Sequence, residues 1–435
     1  MRVAIFGLGV VGLSLACVLG IKRYSVIGID SDRNKVSKIR TGMSPFYEPK
    51  LDNMLRLALK KSLEISTDCN VAVKKCDLIF ITVGTPQSEK GNINFEQLKR
   101  VAEEIGIALS KTHNSPTIIV KSTVTPRVTQ DIVKPILEKK SNKKTGTGFG
   151  LLFNPTFIRE GSAIDDTIKP HVNVIGGYDS KSIRVLEKFC HELYKKTPVI
   201  ITNYQTAELI KYANNSFLAA KLGLINEIAN ICQSLPGTNV DDVVKAIGLD
   251  PRIGNLFLKA GPGYGGSCLP KDIPALISFS SSIGKNPIIL KAIHRSNTFQ
   301  VKSVISLIEN AIKKIDDKKI TILGLSFKEQ SDEIRESVSI KLINLLLKKG
   351  ARLTVHDPSA IENVRMLFGN KIRYAISIKD ALKQSQCAVI MTPWKEYSHI
   401  TNKDLCLMKK RMIIDTRRLL DAPNLDAEYH AIGIG

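Results

Sequence analysis

No two of the eight cysteines, at 17, 69, 76, 190, 232, 268, 387 and 406, form a C-x-x-C pair. That absence argues against a zinc framework and against a disulfide-stapled secreted fold. Most of these cysteines lie in apolar runs, where the residue acts as a small hydrophobe, so a reducing, cytoplasmic setting is expected. No RNA-binding aromatic motif or zinc-finger spacing is present, and the basic residues form only short runs such as "EKKSNKK" at 138–144. No nucleic-acid partner and no metal are therefore expected. Acidic charge is the scarce sign: 41 Asp+Glu against 63 Lys+Arg leave a formal net charge of +22. Such a field favours anionic partners, among them nucleotides and phosphates, without choosing between them.

The N-terminal "MRVAIFGLGVVGLSLACVLG" has the basic residue and apolar run of a leader peptide. Its glycines at 7, 9 and 12 argue otherwise, because they fall where a strand would turn into a helix. No membrane association is expected. At 435 residues the chain exceeds one ordinary core, and two or three domains are anticipated.

Short apolar runs at 2–7, 24–30, 76–86, 116–123 and 149–155 read as buried strands, with helical stretches between them. Continuous apolar strands alternating with helices imply a parallel sheet covered on both faces. The pattern changes at 202–235, which has no proline and one internal glycine. It predicts one long helix of the kind that bridges domains or builds a dimer interface. More helix is expected to about residue 313, interrupted by a glycine-rich loop. A second α/β unit begins at Lys318, with strand-like runs at 318–327, 351–358, 387–394 and 411–420 and a helix over 333–350. Its turns have lost most of their glycines. The fold class is α/β, with two Rossmann-like doubly wound domains joined by a central helical domain. The expected division is 1–200, 201–313 and 314–435.

"GLGVVG" at 7–12 fits G-x-G-x-x-G, and Asp30 ends the next strand 18 residues after Gly12. In that context Gly7 permits the tight turn and Gly9 lets backbone approach a pyrophosphate. Gly12 lets the helix pack close, and Asp30 accepts the ribose hydroxyls. The pyrophosphate rests on the helix N-terminus, at Val10 and Val11. The Asp30 charge disfavours a 2′-phosphate, so NAD is expected rather than NADP, with Arg33 and Lys35 nearby as the opposing consideration. Ligands of such sheets lie beyond the carboxyl ends of the strands, where Thr85, Ser122 and Thr123 suit a ribose and a nicotinamide and are equally ordinary loop residues.

"GPGYGGSCLPKD" (261–272) crowds four glycines in front of Cys268. A helix starting near Pro270 puts the thiol at its positively polarised end, and Lys271 lies close by; both features favour the thiolate, and Asp272 follows. A thiol together with NAD suggests aldehyde oxidation through a thioester. Lys211 and Asn215, four apart, share one face of the long helix. They read either as a holder for a developing oxyanion or as two exposed polar residues.

The chain resembles the UDP-glucose/GDP-mannose dehydrogenase family through "GLGVVG", "NPTFIREGSAIDD" (154–166), "AELIKYANNSFLAAKLGLINE" (207–227), "RIGNLFLKAGPGYGGSCLPKD" (252–272) and "LGLSFKEQSDEIRESVSIKL" (323–342). The resemblance implies NAD-dependent oxidation of a nucleotide-sugar 6-hydroxyl to a carboxylate, and a homodimer built through the long helix. It implies that Cys268 is the nucleophile, that Lys211 and Asn215 bind the reacting oxygen, and that Asp272 handles protons and water. It places Lys35, Thr85, Thr123, Glu160, Lys271 and Arg335 near NAD. It places Phe157, Ile158, Arg159, Glu160, Lys211, Asn215, Phe257, Lys259, Tyr264, Gly265, Lys328 and Arg417 at the sugar nucleotide, with Arg252 reaching it across the dimer. "RIGNLFLKA" most resembles the UDP-glucose branch; GDP-mannose and UDP-N-acetylhexosamines are the alternatives. Two departures stand out. Thr156 replaces the glutamate of the family's "NPEF", which is linked to thioester hydrolysis and leaves Glu160 as the substitute. "STVTPRVT" (122–129) replaces the frequent "STVPVGT", keeping Thr123. Thr156 also leaves open a sugar-nucleotide-binding protein with impaired turnover.

Overall fold

A computed structural model describes residues 1–88 and 91–435. They divide into two compact units, Met1–Asn214 and Asn215–Gly435. The first holds β1 (Arg2–Phe6), β2 (Ser25–Ile29), β3 (Leu63–Ser66), β4 (Leu78–Ile81), β5 (Thr117–Val120), β6 (Gly150–Phe153), β7 (Asn173–Gly176) and β8 (Val199–Thr202). Their order is β3-β2-β1-β4-β5-β6-β7-β8, parallel throughout except between β6 and β7. β4, β5 and β6 are buried along their whole length, which is why they read as continuous apolar runs: helices cover both faces. β3, β7 and β8 escape the sequence reading. β3 and β8 are edge strands, with Glu64 exposed in one and Ile200 and Ile201 in the other, and β7 carries only two apolar residues.

The strand order reverses between β1 and β4, the place where doubly wound sheets take their ligand. There Gly7 turns the chain with φ +93°, and a Cβ on it would lie 2.9 Å from Val83 Cα. The helix Val10–Ile21 rests directly on this turn. A Cβ on Gly12 would strike the Gly7 carbonyl oxygen and reach 2.5 Å from Thr82 Oγ1. The Thr82 hydroxyl is fixed there, donating to the carbonyls of Phe6 and Gly7 at 2.9 and 2.7 Å. The helix is buried from Gly12 to Gly20, which accounts for its nearly polar-free sequence.

The second unit holds β9 (Lys319–Leu323), β10 (Arg352–His356), β11 (Arg373–Tyr374), β12 (Cys387–Ile390), β13 (Met412–Asp415) and β14 (Glu428–Ala431). They run parallel in the order β11-β10-β9-β12-β13-β14. That repeats the third-second-first-fourth-fifth-sixth arrangement of the first sheet, so both sheets are Rossmann-like. The turn after β9 keeps its glycine: Gly324 has φ +94°. The helix expected over 333–350 starts later, at Val338. Glu336 adopts φ +52°, a left-handed conformation no helix tolerates, and the Ser337 hydroxyl then caps Ser339 N.

The long helix runs Tyr204–Cys232, and the division between the units falls within it. From Asn215 onward it joins the helices Val240–Gly248, Leu269–Ser282 and Ile288–Ile312. Ile225, Ala229, Val304 and Ile308 from these helices share one hydrophobic core with Ile320, Ile322 and Leu342 of the second sheet and its cover. Among the described residues no helix is long and apolar enough to cross a membrane.

The contrast between two neighbouring glycines tests this packing. Gly12→Ala should lower the unfolding free energy by about 1–3 kcal/mol, the cost of forcing a methyl into a filled space. A Cβ on Gly9 meets nothing within 4 Å, so Gly9→Ala should change stability by less than about 1 kcal/mol. Chemical denaturation of both variants reads the difference; equal effects would mean the close approach at Gly12 is not a packing constraint.

Candidate active site

The first unit presents a dinucleotide cradle. Gly9 precedes the first helical residue, Val10, and offers open space where a side chain would stand. The helix therefore begins with bare N–H groups and its positive dipole end, the combination that binds a pyrophosphate. Asp30 follows β2 and is buried. One of its oxygens accepts the Leu8 N–H at 2.9 Å and the Lys35 ammonium at 2.9 Å; the other accepts the Asp32 N–H at 3.0 Å. Burial alone would raise this carboxyl. The Asp32 and Leu8 N–H groups and the Lys35 ammonium outweigh it and hold Asp30 below the ordinary carboxylate range. Asp30 thus stays ionised, ties the glycine turn to β2 and occupies Lys35. These residues fit the adenosine half of NAD.

At the carboxyl ends of β4 and β5 the small hydroxyls are already committed. Thr85 Oγ1 donates to the Thr123 carbonyl at 2.8 Å, and Ser122 Oγ donates to the Val83 carbonyl at 2.7 Å. They knit the two strand ends together and fix the backbone at Thr123. Beyond β6, Lys211 is buried on the long helix with its ammonium 5.3 Å from the Phe157 ring centroid. Phe157 packs in turn on His171, with centroids 5.1 Å apart. Ile158 and Glu160 are half-buried. Arg159 is turned away: its N–H and guanidinium bind Asp166. The sequence reading passed over Lys121, whose ammonium donates to Asn154 Oδ1 at 2.8 Å. Burial pushes it down to about 8.

In the second unit Cys268 caps the helix Leu269–Ser282, with Pro270 in its first turn. The thiol is exposed. The Asp272 and Lys271 N–H groups donate to the Cys268 carbonyl at 2.8 and 3.1 Å. Asp272 is itself 1% exposed. Its carboxylate accepts the Asn215 amide at 2.7 Å on one oxygen and the Lys271 ammonium at 2.7 Å on the other. Asn215, Asp272, Lys271 and the turn bearing Cys268 are thus one hydrogen-bonded group. Burial pushes five other thiols, those of Cys17, Cys69, Cys76, Cys190 and Cys387, up to about 12.

The glycines before Cys268 serve close packing. A Cβ on Gly265 would strike the Glu336 carbonyl, and one on Gly266, at φ +87°, would lie 2.6 Å from the Phe327 ring. The Gly266 N–H donates to the Arg335 carbonyl at 3.1 Å. Asn226 accepts the Gly261 N–H, Gln300 donates to the Gly261 carbonyl, and Asn297 holds both the N–H and the carbonyl of Tyr264. These three amides were not anticipated; each is an unremarkable polar residue in a helical stretch until the loop is folded against it.

The remaining predicted contacts differ in readiness. Arg417 lies beside Gly261 and donates Nε–H to the Met391 carbonyl at 2.7 Å; burial lowers it to about 10. Tyr264 is buried and Lys328 half-buried. Phe257, at φ +62°, and Lys259 are exposed. Arg252 is 88% exposed and folded onto Asp250, and exposed Arg335 is folded onto Glu333.

Three family models match the chain in order. They describe the UDP-glucose/GDP-mannose dehydrogenase family: its NAD binding domain over residues 1–197, its central domain over 205–299 and its UDP binding domain over 321–422. The chain is 36% identical over 423 residues to UDP-glucose 6-dehydrogenase AglM of Haloferax volcanii, spanning 97% of each protein. It is 36% identical over 440 residues to a UDP-glucose 6-dehydrogenase of Rickettsia conorii, spanning 100% of this chain and 99% of that one. A UDP-glucose dehydrogenase structure from the archaeon Pyrobaculum islandicum matches with a TM-score of 0.94 at 31% identity, over 100% of this chain and 98% of that chain. The chain belongs to the UDP-glucose/GDP-mannose dehydrogenase family and is an NAD-dependent nucleotide-sugar dehydrogenase.

Proposed function

We propose that this dehydrogenase converts UDP-glucose to UDP-glucuronate in two successive oxidations, the second through a thioester on Cys268. The observation that carries the reading is the bonded group Asn215–Asp272–Lys271 on the turn that bears an exposed cysteine, Cys268, at a helix N-terminus. UDP-glucose is favoured by its place in the names of the relatives at 36% identity.

When bound, NAD would supply the hydride acceptor for both oxidations. Lys211 and Asn215 hold the reacting oxygen, first as the alcohol losing its proton, then as the oxyanion of the thiohemiacetal. Cys268 adds its sulfur to the aldehyde carbon. The helix N-terminus and Lys271 favour the thiolate that does so. Loss of the second hydride leaves the thioester, and water cleaves it to the acid and the free thiol. Asp272, with Glu160 in place of the absent family glutamate at Thr156, takes the proton of that water. Thr123 lies with the nicotinamide, and Gly7, Gly9, Val10, Val11, Gly12, Asp30, Lys35 and Thr85 with the rest of NAD. Phe157, Ile158, Arg159, Phe257, Lys259, Tyr264, Gly265, Lys328 and Arg417 meet the sugar nucleotide. Lys271 and Arg335 stand near the cofactor, and Arg252 serves a partner subunit's substrate.

The domain division proposed is 1–200, 201–313 and 314–435. A homodimer through the long helix is supported by Phe217, Leu224 and Ile231. These recur every seven residues and are 74, 65 and 52% exposed, an unpartnered apolar stripe of the kind that a second helix covers. Beside it a cavity of about 850 Å³ is lined by Ile231, Leu235, Ala292 and Phe299. A cytoplasmic location is supported by the eight cysteines, none of them in a disulfide.

The test is turnover on a panel of nucleotide sugars, followed by NADH absorbance. Two NADH per UDP-glucose, with the acid as product, are expected; one NADH with free aldehyde would overturn the four-electron reading, and another sugar turned over faster would overturn the substrate. Asp30→Ala should cost NAD about 10-fold or more in KM, from the lost charged hydrogen bonds. NADP should lose less, since Lys35 is then released. Equal losses for both cofactors would mean Asp30 serves only the turn at Leu8. Cys268→Ser should abolish sustained turnover while keeping sugar-nucleotide binding, because a hydroxyl forms the nucleophilic anion far less readily. Thr156→Glu should raise the steady-state rate if hydrolysis limits it. A Cys268→Ser variant with wild-type turnover refutes the covalent route.

A further inference from the structure

Glu208 is the least expected charge in the first unit. It lies on the long helix one turn before Lys211, and it is 0% exposed. A buried carboxylate is costly unless donors meet it, and the donors here come from one place. The Arg127 N–H reaches one oxygen at 2.7 Å and the Thr129 N–H the other at 2.9 Å. Burial pushes the carboxyl up to about 7, against these hydrogen bonds.

The segment so held is one of the two that depart from the family pattern. Arg127 adopts φ +81°, a left-handed conformation that favours glycine and costs any other residue. Counted from Ser122, the glycine of "STVPVGT" falls at this position. The Arg127 side chain does not explain its presence there: it is exposed and pairs with Asp131 at 2.8 Å, an arrangement worth little. What offsets the strained turn is the carboxylate on its N–H. Upstream, the same segment carries Val124, fully buried, and Thr123, whose carbonyl is held by Thr85.

We propose that Glu208 is a positioning residue: by clamping the left-handed turn at Arg127 it fixes the backbone that carries Thr123, on the same helix that supplies Lys211. The proposal rests on the reading above in which Thr123 lies at the nicotinamide. One buried carboxylate then ties the long helix to the loop after β5.

Two measurements test it. Amide hydrogen exchange reads the clamp without reference to activity. In Glu208→Ala, and more weakly in Glu208→Gln, exchange at Arg127 and Thr129 should rise about 10-fold or more over wild type, as a local opening does; unchanged exchange overturns the clamp. The second measurement is a double-mutant cycle with Thr123→Ala, read as kcat on UDP-glucose and NAD. Glu208→Ala should lower kcat about 10- to 100-fold, as small misplacements do. On the Thr123→Ala background it should cost less than about 3-fold, because residues acting as one unit are non-additive. Arg127→Gly should recover about 5-fold of the loss in Glu208→Ala by removing the left-handed cost. Additive losses, or loss of stability with kcat unchanged, overturn the positioning role. A wild type that forms no NADH with any nucleotide sugar removes the dehydrogenase reading and the positioning role with it, while exchange still decides the clamp.

Discussion

The carboxylate of Asp272 is the point on which the arrangement of the glycine loop and the Cys268 turn depends. It is buried, so it must collect donors or be neutralised. It collects the Asn215 amide from the long helix and the Lys271 ammonium from its own helix. Satisfying one buried charge thereby fixes the register between two helices. It also fixes the turn on which Cys268 sits, because the Asp272 N–H closes back on the Cys268 carbonyl. The glycine loop then has one path left, pressed against Phe327 and the 333–336 segment, and only bare backbone fits that path. The density of glycine around Cys268 follows from this contact as much as from any need to admit a substrate.

The first unit is organised by a matching device. Asp30 pulls the Leu8 N–H and the Lys35 ammonium onto one oxygen, and the close approach of Gly12 to Gly7 seats the helix on the turn. The second sheet repeats the first half of that device. Gly324 turns as Gly7 does, and Asp357, following β10 as Asp30 follows β2, accepts the Leu325 N–H at 2.7 Å. It lacks the second half: no helix begins until Val338. The first turn therefore offers an anion site at a helix end, and the second offers a turn whose aspartate is saturated by Ser326, Ser359, Ala360 and Trp394.

The fully buried apolar strands, the glycine turn and the long helix were legible because each carries a pattern or a steric demand that one stretch of sequence expresses alone. β3, β7 and β8 were not: they are as short as β4, β5 and β6, but Glu64 interrupts β3, β7 has only two apolar residues, and β8 is an exposed edge. The late start of the helix at Val338 was missed because its breaker, the left-handed Glu336, is imposed by packing against Gly265 rather than by any local signal.

The sequence by itself determined the α/β class and the glycine turn after the first strand, since these rest on residue chemistry and on spacing within single elements. Tertiary structure alone decided which polar groups are satisfied and by what. Glu208 reads as an ordinary helical acid until Arg127 and Thr129 are folded onto it. Asn226, Asn297 and Gln300 read as surface amides until the glycine loop needs their hydrogen bonds. Arg252 and Arg335, predicted at ligands, rest on neighbouring carboxylates. The reason is common to all of them: the partner of a buried polar group is set by burial and distance, and neither is a property of the local sequence.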